Sequence, residues 1–142
     1  MNPRHRGIDT LDEYAYWVDQ TIHGRGGVLD HGYLDVEEVV DDRGEVVGHL
    51  YRRQWFRFAH GFSVGFDKFV DADLAVVEYH YQYVATDGRL LVELHNHRGH
   101  ERDVGSRSHM HVREGESRRT VLAPIYDFDE ALDFFAVWPA SD

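Results

Sequence analysis

The chain has 142 residues, of which 42% are hydrophobic and 13% aromatic, enough for one packed domain and too apolar for a disordered acidic tail. It contains no cysteine, which excludes disulfides, zinc-thiolate sites and thiol catalysis. Its apolar runs are far shorter than the roughly 20 residues that span a bilayer, and its start, MNPRHRGIDT, lacks a signal peptide, so the sequence predicts a cytoplasmic protein without a membrane partner.

The charge is strongly acidic and unevenly distributed. The net value is -11, and Lys68 is the single lysine beside 14 arginines, a composition typical of adaptation to high salt. Such acidity argues against non-specific wrapping of nucleic acid, which depends on basic residues that neutralise phosphates. Residues 89–119 are the exception, because they carry seven arginines against five acidic residues and hold five of the eleven histidines.

The first predicted element is an amphipathic helix over residues 8–24. Thr10 and Glu13 have the spacing of a capping box, and Gly24 is a typical helix stop. The apolar residues recur at helical intervals and are expected to face the core: Leu11, Tyr14, Ala15, Val18 and Ile22.

Residues 28–124 change to a period of two with many β-branched and aromatic residues, which predicts an antiparallel meander. Strands are expected near 33–41, 45–59, 62–70, 74–86, 89–97, 108–114 and 119–124, with a polar loop at 98–107. A C-terminal helix is predicted over 126–138, where Asp127 and Glu130 resemble a capping pair. The predicted fold class is therefore α+β, a single domain over 1–142 in which a curved antiparallel sheet of about six strands carries a helix from each end of the chain.

The Asp87-Gly88 turn predicts the register of its hairpin. A two-residue type I′ loop makes opposed residue numbers sum to 175. One face of the hairpin is then apolar and is expected to be core: Tyr79, Tyr81, Tyr83, Ala85, Leu90, Val92 and Leu94. The other face pairs Glu78 with His97, His80 with His95, and Gln82 with Glu93, and it is either a solvated surface or part of a site.

The run HNHRGHERDVGSRSHMH, residues 95–111, holds the side chains best suited to chemistry. His109 and His111 are two apart on a predicted strand, so their imidazoles point the same way. Such a pair suits general acid-base catalysis, or metal binding if His95, His100 or a carboxylate supplied a third ligand. Metal-free RNA cleavage would use the two histidines as base and acid, with phosphate held by Arg98, Arg102, Arg107 and Arg113. Alternatively, these residues simply form ion pairs with neighbouring acidic groups.

A family resemblance rests on these same residues. The stretch EYHYQYVATDGRLLVELHNHRGHERDVGSRSHMHV, followed by YDFDEALDFF, resembles the TumE-type toxin family of prokaryotic toxin-antitoxin modules. The match covers about residues 74–136, and His95 stands where the family usually has Asp. The matching positions are Asn96, Arg98, Gly99, His109, His111, Tyr126, Phe128, Leu132 and Phe134.

The resemblance implies a growth-inhibiting toxin that is neutralised by a helix-turn-helix antitoxin. Together with the residue inventory, it leads to the hypothesis of an RNA-directed toxin that needs no cofactor or metal. The candidate catalytic residues are His109, His111, Asn96, His100 and Arg98. Two alternatives stay open, namely a non-catalytic acidic module that binds a protein partner, and a metalloprotein with histidine ligands.

Overall fold

Two helices pack against one face of an antiparallel β-sheet in the computed structural model of the protein. The structure describes residues 7–96, 108–114, 117–122 and 127–137; between 108 and 122 it describes one side chain, that of His111. The elements in chain order are α1 (Leu11–Gly24), β1 (Val28–Leu29), β2 (Val36–Val40), β3 (Val46–Arg57), β4 (Ser63–Asp71), β5 (Val76–Val84), β6 (Leu90–Asn96), β7 (Ser108–Glu114), β8 (Ser117–Leu122) and α2 (Phe128–Ala136). The predicted α+β class is confirmed.

The sheet is an open meander in which every described pair of strands is antiparallel. Strands β3 to β8 pair consecutively and form the six-stranded body that the sequence predicts. Two further strands, β1 and β2, both pair with β3, and the two-residue β1 was not predicted. Strands β5, β6 and β7 therefore lie side by side, which brings the histidine-rich segments of the chain together.

Both helices bury their apolar stripes against the tyrosine-bearing face of the sheet. Helix α1 contributes Tyr14, Val18 and Ile22, all fully buried. From α2, Phe128 packs on Phe66 with ring centroids 5.0 Å apart, and Phe135 stacks on Tyr83 at 5.0 Å with nearly parallel rings. The remaining buried side chains of α2 are Ala131 and Leu132.

The two predicted helix starts have different outcomes. The Thr10 hydroxyl accepts a hydrogen bond from the Glu13 backbone N–H at 3.1 Å and donates one to the Glu13 carboxylate at 3.2 Å, so Thr10 is the N-cap and the helix begins at Leu11 rather than at residue 8. Asp127 precedes the first residue of α2, but its side chain makes no capping hydrogen bond. Its carboxylate is buried instead, and it acts electrostatically on Lys68 in the core.

The hairpin of β5 and β6 has the predicted register at its centre. His80 pairs with His95, Tyr81 with Leu94, Gln82 with Glu93 and Tyr83 with Val92. The turn differs from the prediction, because the Gly88 N–H donates to the Ala85 carbonyl and the Ala85 N–H to the Arg89 carbonyl, both at 2.9 Å. This gives a three-residue loop, 86–88, and a register shift between Tyr83 and Val84 restores the expected pairing.

The shift has one consequence for the core. An extra residue on β6 takes a buried place, so Leu91 is buried while the predicted core residue Leu90 is only half-buried. The other hairpin residues predicted for the core are buried: Tyr79, Tyr81, Tyr83, Ala85, Val92 and Leu94.

Among the described residues, no helix is long and apolar enough to cross a membrane.

Candidate functional site

Four polar side chains from three adjacent strands meet on the sheet face opposite the helices. We call His80, Glu93, His95 and His111 the histidine cluster. On the central strand β6, Glu93 and His95 are two residues apart and therefore share a face. His80 on β5 lies directly across from His95, and His111 on β7 lies directly across from Glu93. The alternation that buries the tyrosines on one face thus collects the imidazoles on the other.

The cluster is closely packed. The His80 Nε2 and Glu93 Oε2 atoms are 2.7 Å apart, which is hydrogen-bond distance. The His95 ring lies 5.1 Å from the His80 ring and 4.7 Å from the His111 ring, measured between centroids. Glu93 and His111 are 7% and 5% exposed, whereas the His80 side chain is about one-third exposed. The cluster is therefore accessible from the His80 side.

An open cavity of about 750 Å³ adjoins the cluster on that side. Its lining includes Leu50 and Phe69 as apolar surface, Asp67 and Glu78 as acidic groups, and His80 and His95. The cross-strand pairs Asp67 with His80 and Phe69 with Glu78 place these residues on the same face of the sheet as the cluster. The described lining also includes Lys68, but its Nζ is buried on the opposite face of the sheet, so the carboxylates of Asp67 and Glu78 dominate and the cavity favours a cation.

The structure brings one predicted catalytic residue, His111, into the cluster. The predicted residue His109 is on β7 directly across from His95, but its side chain lies outside the described part of the chain. The predicted residues His100 and Arg98 lie wholly outside it, as does His97, the predicted partner of Glu78.

Asn96 lines the cavity and also completes the pairing of β5 with β6. Its Oδ1 accepts a hydrogen bond from the Tyr79 backbone N–H, and its Nδ2 donates to the Val77 carbonyl, both at 2.9 Å. The side-chain amide therefore makes, at the end of the hairpin, the two hydrogen bonds to β5 that a backbone carbonyl and N–H would otherwise make. In this structure Asn96 positions the strand that carries His80.

Three members of the cluster were not among the predicted catalytic residues: His80, Glu93 and His95, of which His95 was considered only as a metal ligand. The hairpin register had already placed all three in one polar row. The missed signal is a diagonal contact across the strand pair. Glu93 lies two residues before His95, the residue directly across from His80, and its carboxylate reaches His80.

A second polar feature lies on the opposite, buried face. Lys68, the only lysine, is fully buried, and its Nζ donates hydrogen bonds to the hydroxyls of Tyr14 at 2.6 Å and Tyr81 at 3.3 Å. The ammonium also lies 4.8 Å from the centroid of the Phe128 ring and 5.7 Å from that of Tyr51. We call Lys68 with these four rings the lysine cage.

The cage shifts the protonation of its members. Burial lowers the pKa of Lys68 to about 7, an effect that the charges of Asp127 and Asp129 partly oppose. Burial raises the pKa of Tyr51 and of Tyr81 well above the usual value, with a smaller contribution from nearby carboxylates. The sequence contained a signal for this cage, since Lys68 alternates with Phe66 and Val70 on the inward row of β4.

Comparisons with protein-family models, with curated proteins and with solved structures gave no match for this chain.

Proposed function

We propose that the protein is the toxin component of a toxin-antitoxin module and that it acts on RNA through the histidine cluster. The observation that carries the proposal is the meeting of three imidazoles and one carboxylate beside an open cavity. The resemblance of residues 74–136 to the TumE-type toxins supports the same assignment. RNA as substrate places the action in the cytoplasm, and the expected partner is a helix-turn-helix antitoxin.

The chemistry follows from the side chains that the cluster offers. Cleavage of RNA at its own 2′-hydroxyl needs one group that removes the hydroxyl proton and another that protonates the leaving 5′-oxygen. Neighbouring imidazoles can divide these roles, since histidine titrates near neutral pH. In this proposal His111 and His95 are the acid-base pair, with His109 directly across the strand from His95. Glu93 fixes the orientation of His80 through their hydrogen bond.

Stabilisation of the anionic phosphorane needs positive charge near the cluster. The arginines predicted for this role are Arg98, Arg102, Arg107 and Arg113, of which Arg113 lies on β7. Arg113 is on the same strand as the proposed acid-base group His111.

Controlled expression in a bacterial host tests the proposal. The wild-type protein should stop growth, and co-expression of a helix-turn-helix protein encoded beside it should restore growth. His111→Ala and His95→Ala should relieve the inhibition, whereas His31→Ala, which removes an exposed imidazole outside the cluster, should not. If the cluster variants are folded and fully toxic, the cluster is not the active centre, and the acidic binding module becomes the better account.

A further inference from the structure

Three members of the histidine cluster have the geometry of a metal-binding site. One ligand atom each from His80, Glu93 and His95 lies within 4.8 Å of the other two. In a tetrahedral zinc site with bonds of 2.0–2.2 Å, donor atoms are about 3.3 Å apart. His80 Nε2 and Glu93 Oε2 are already closer than that, at 2.7 Å, so small side-chain rotations would open this pair and admit an ion.

The strands hold these ligands in place. Glu93 and His95 project from the same face of β6, and His80 projects from β5 directly across from His95. The two strands lie in the middle of the sheet, flanked by β4 and β7, so their backbones are fixed on both sides. A site on rigid strands loses little conformational entropy when an ion binds.

The donor set selects among metals. Two imidazole nitrogens and one carboxylate oxygen suit zinc and other divalent transition ions better than calcium or magnesium, which prefer ligand shells made of oxygen. Three protein ligands leave a fourth position open, as in catalytic zinc sites. The cavity of about 750 Å³ lies beside His80 and His95, with room at that position for a water molecule or a substrate.

The charge of the site agrees with a bound cation. Glu93 is a nearly buried carboxylate, and Asp67 and Glu78 add two more acidic groups in the adjoining cavity. Asp67 lies directly across from His80, where it can support that ligand from the outer shell. A bound divalent ion would offset these negative charges.

We propose that His80, Glu93 and His95 bind one divalent transition-metal ion and that zinc is the ion they fit best. The ligands differ from the His109 and His111 pair that the sequence suggested. The inference stands without the toxin hypothesis, because it concerns binding and not growth inhibition. If both are correct, His95 binds the metal and no longer transfers protons, the metal supplies positive charge in the cavity, and proton transfer passes to His111 and His109.

Isothermal titration with Zn²⁺ tests the site on the purified full chain. The wild-type protein should bind one equivalent at the cluster, and zinc should raise its unfolding temperature because the ion binds the folded state. His80→Ala and Glu93→Gln should each weaken binding at least about 100-fold, more than the 10- to 100-fold typical of an outer-shell partner. The matched control, His31→Ala, should bind as the wild type does.

A second measurement covers the case in which a cluster variant does not fold. In the wild-type protein, the imidazole NMR signals of His80 and His95 should shift on addition of one equivalent of Zn²⁺. The proposal is overturned if folded His80→Ala and Glu93→Gln retain wild-type affinity, if His31→Ala loses as much affinity as they do, or if only histidines outside the cluster shift.

Discussion

The lysine cage makes the stability of the protein depend on pH in a defined direction. Burial lowers the pKa of Lys68 from 10.5 to about 7 in the folded protein, whereas the unfolded chain titrates at the ordinary value. Between these two values the unfolded state binds more protons than the folded state. The free energy of unfolding must therefore rise with pH across this window, because deprotonation relieves the cost of the buried charge.

The size of the effect follows from the same shift. One proton of difference between the two states gives a slope of about 1.4 kcal/mol per pH unit. Because Lys68 is only half-protonated at pH 7 in the folded state, the gain between pH 7 and pH 9 is about 2 kcal/mol. Below pH 7 the lysine is protonated in both states and adds little slope. Above pH 10 the raised pKa of Tyr81 reverses the sign, because the unfolded tyrosine ionises first.

Lys68→Met is the perturbation that isolates this contribution. Methionine fills much of the same space without a charge, and it removes the lysine donor from the hydroxyls of Tyr14 and Tyr81 at a cost of about 1–3 kcal/mol. That cost does not vary between pH 7 and pH 9, and the titration of histidines affects both proteins equally. The difference in pH slope between wild type and variant therefore reports Lys68 alone.

Urea unfolding at pH 7, 8 and 9 provides the assay. The wild-type protein should gain about 2 kcal/mol more than Lys68→Met over this range. Equal gains in the two proteins would refute the reasoning, because they would show that Lys68 has the same pKa in the folded and unfolded states.

Three further predictions concern other parts of the molecule. The net charge of -11 should make the unfolding temperature rise between 0.1 M and 1 M salt, because the Debye length falls from about 10 Å to about 3 Å and the negative charges repel each other less. A flat or falling midpoint in a thermal scan would remove the salt-adaptation hypothesis. Gly65→Ala should destabilise the protein by about 1–3 kcal/mol in urea unfolding, because the added Cβ would lie 2.5 Å from the Trp55 ring, whereas Gly24→Ala meets no atom within 4 Å and should be nearly neutral. Asn96→Ala should cost about 1–3 kcal/mol in the same assay, since it removes both side-chain hydrogen bonds to β5; an unchanged stability would contradict the positioning role.

The sequence predicted the faces of the sheet better than it predicted the site. Period-two alternation and the Asp-Gly turn were enough to place Tyr81 in the core and His80 opposite His95, because one face of each strand must be buried. The turn itself was predicted wrongly, since an Asp-Gly pair also suits a three-residue loop with glycine at positive φ. Leu91 was missed for the same reason, because a register shift has no distinct sequence signal.

Only part of the candidate site could be predicted from the sequence, and the reason is physical. His111 could be predicted from its spacing to His109, a local property of one strand. The contact between His80 and Glu93 depends on how two strands align, and the cavity beside them depends on which outward side chains leave space. Lys68 was missed because a charged residue is normally assigned to solvent, while its burial depends on Tyr14 and Phe128 from the two ends of the chain.

Incubation of purified protein with single-stranded RNA tests the proposed function most directly. The account predicts cleavage with 2′,3′-cyclic phosphate ends, and a rate that falls about 10²- to 10⁴-fold in folded His111→Ala, because an acid-base group is lost. Parallel reactions with added Zn²⁺ and with a chelator separate catalysis from metal binding. RNA that stays intact under both conditions, or that His111→Ala cleaves at the wild-type rate, would contradict the claim that the histidine cluster is an RNA-cleaving centre.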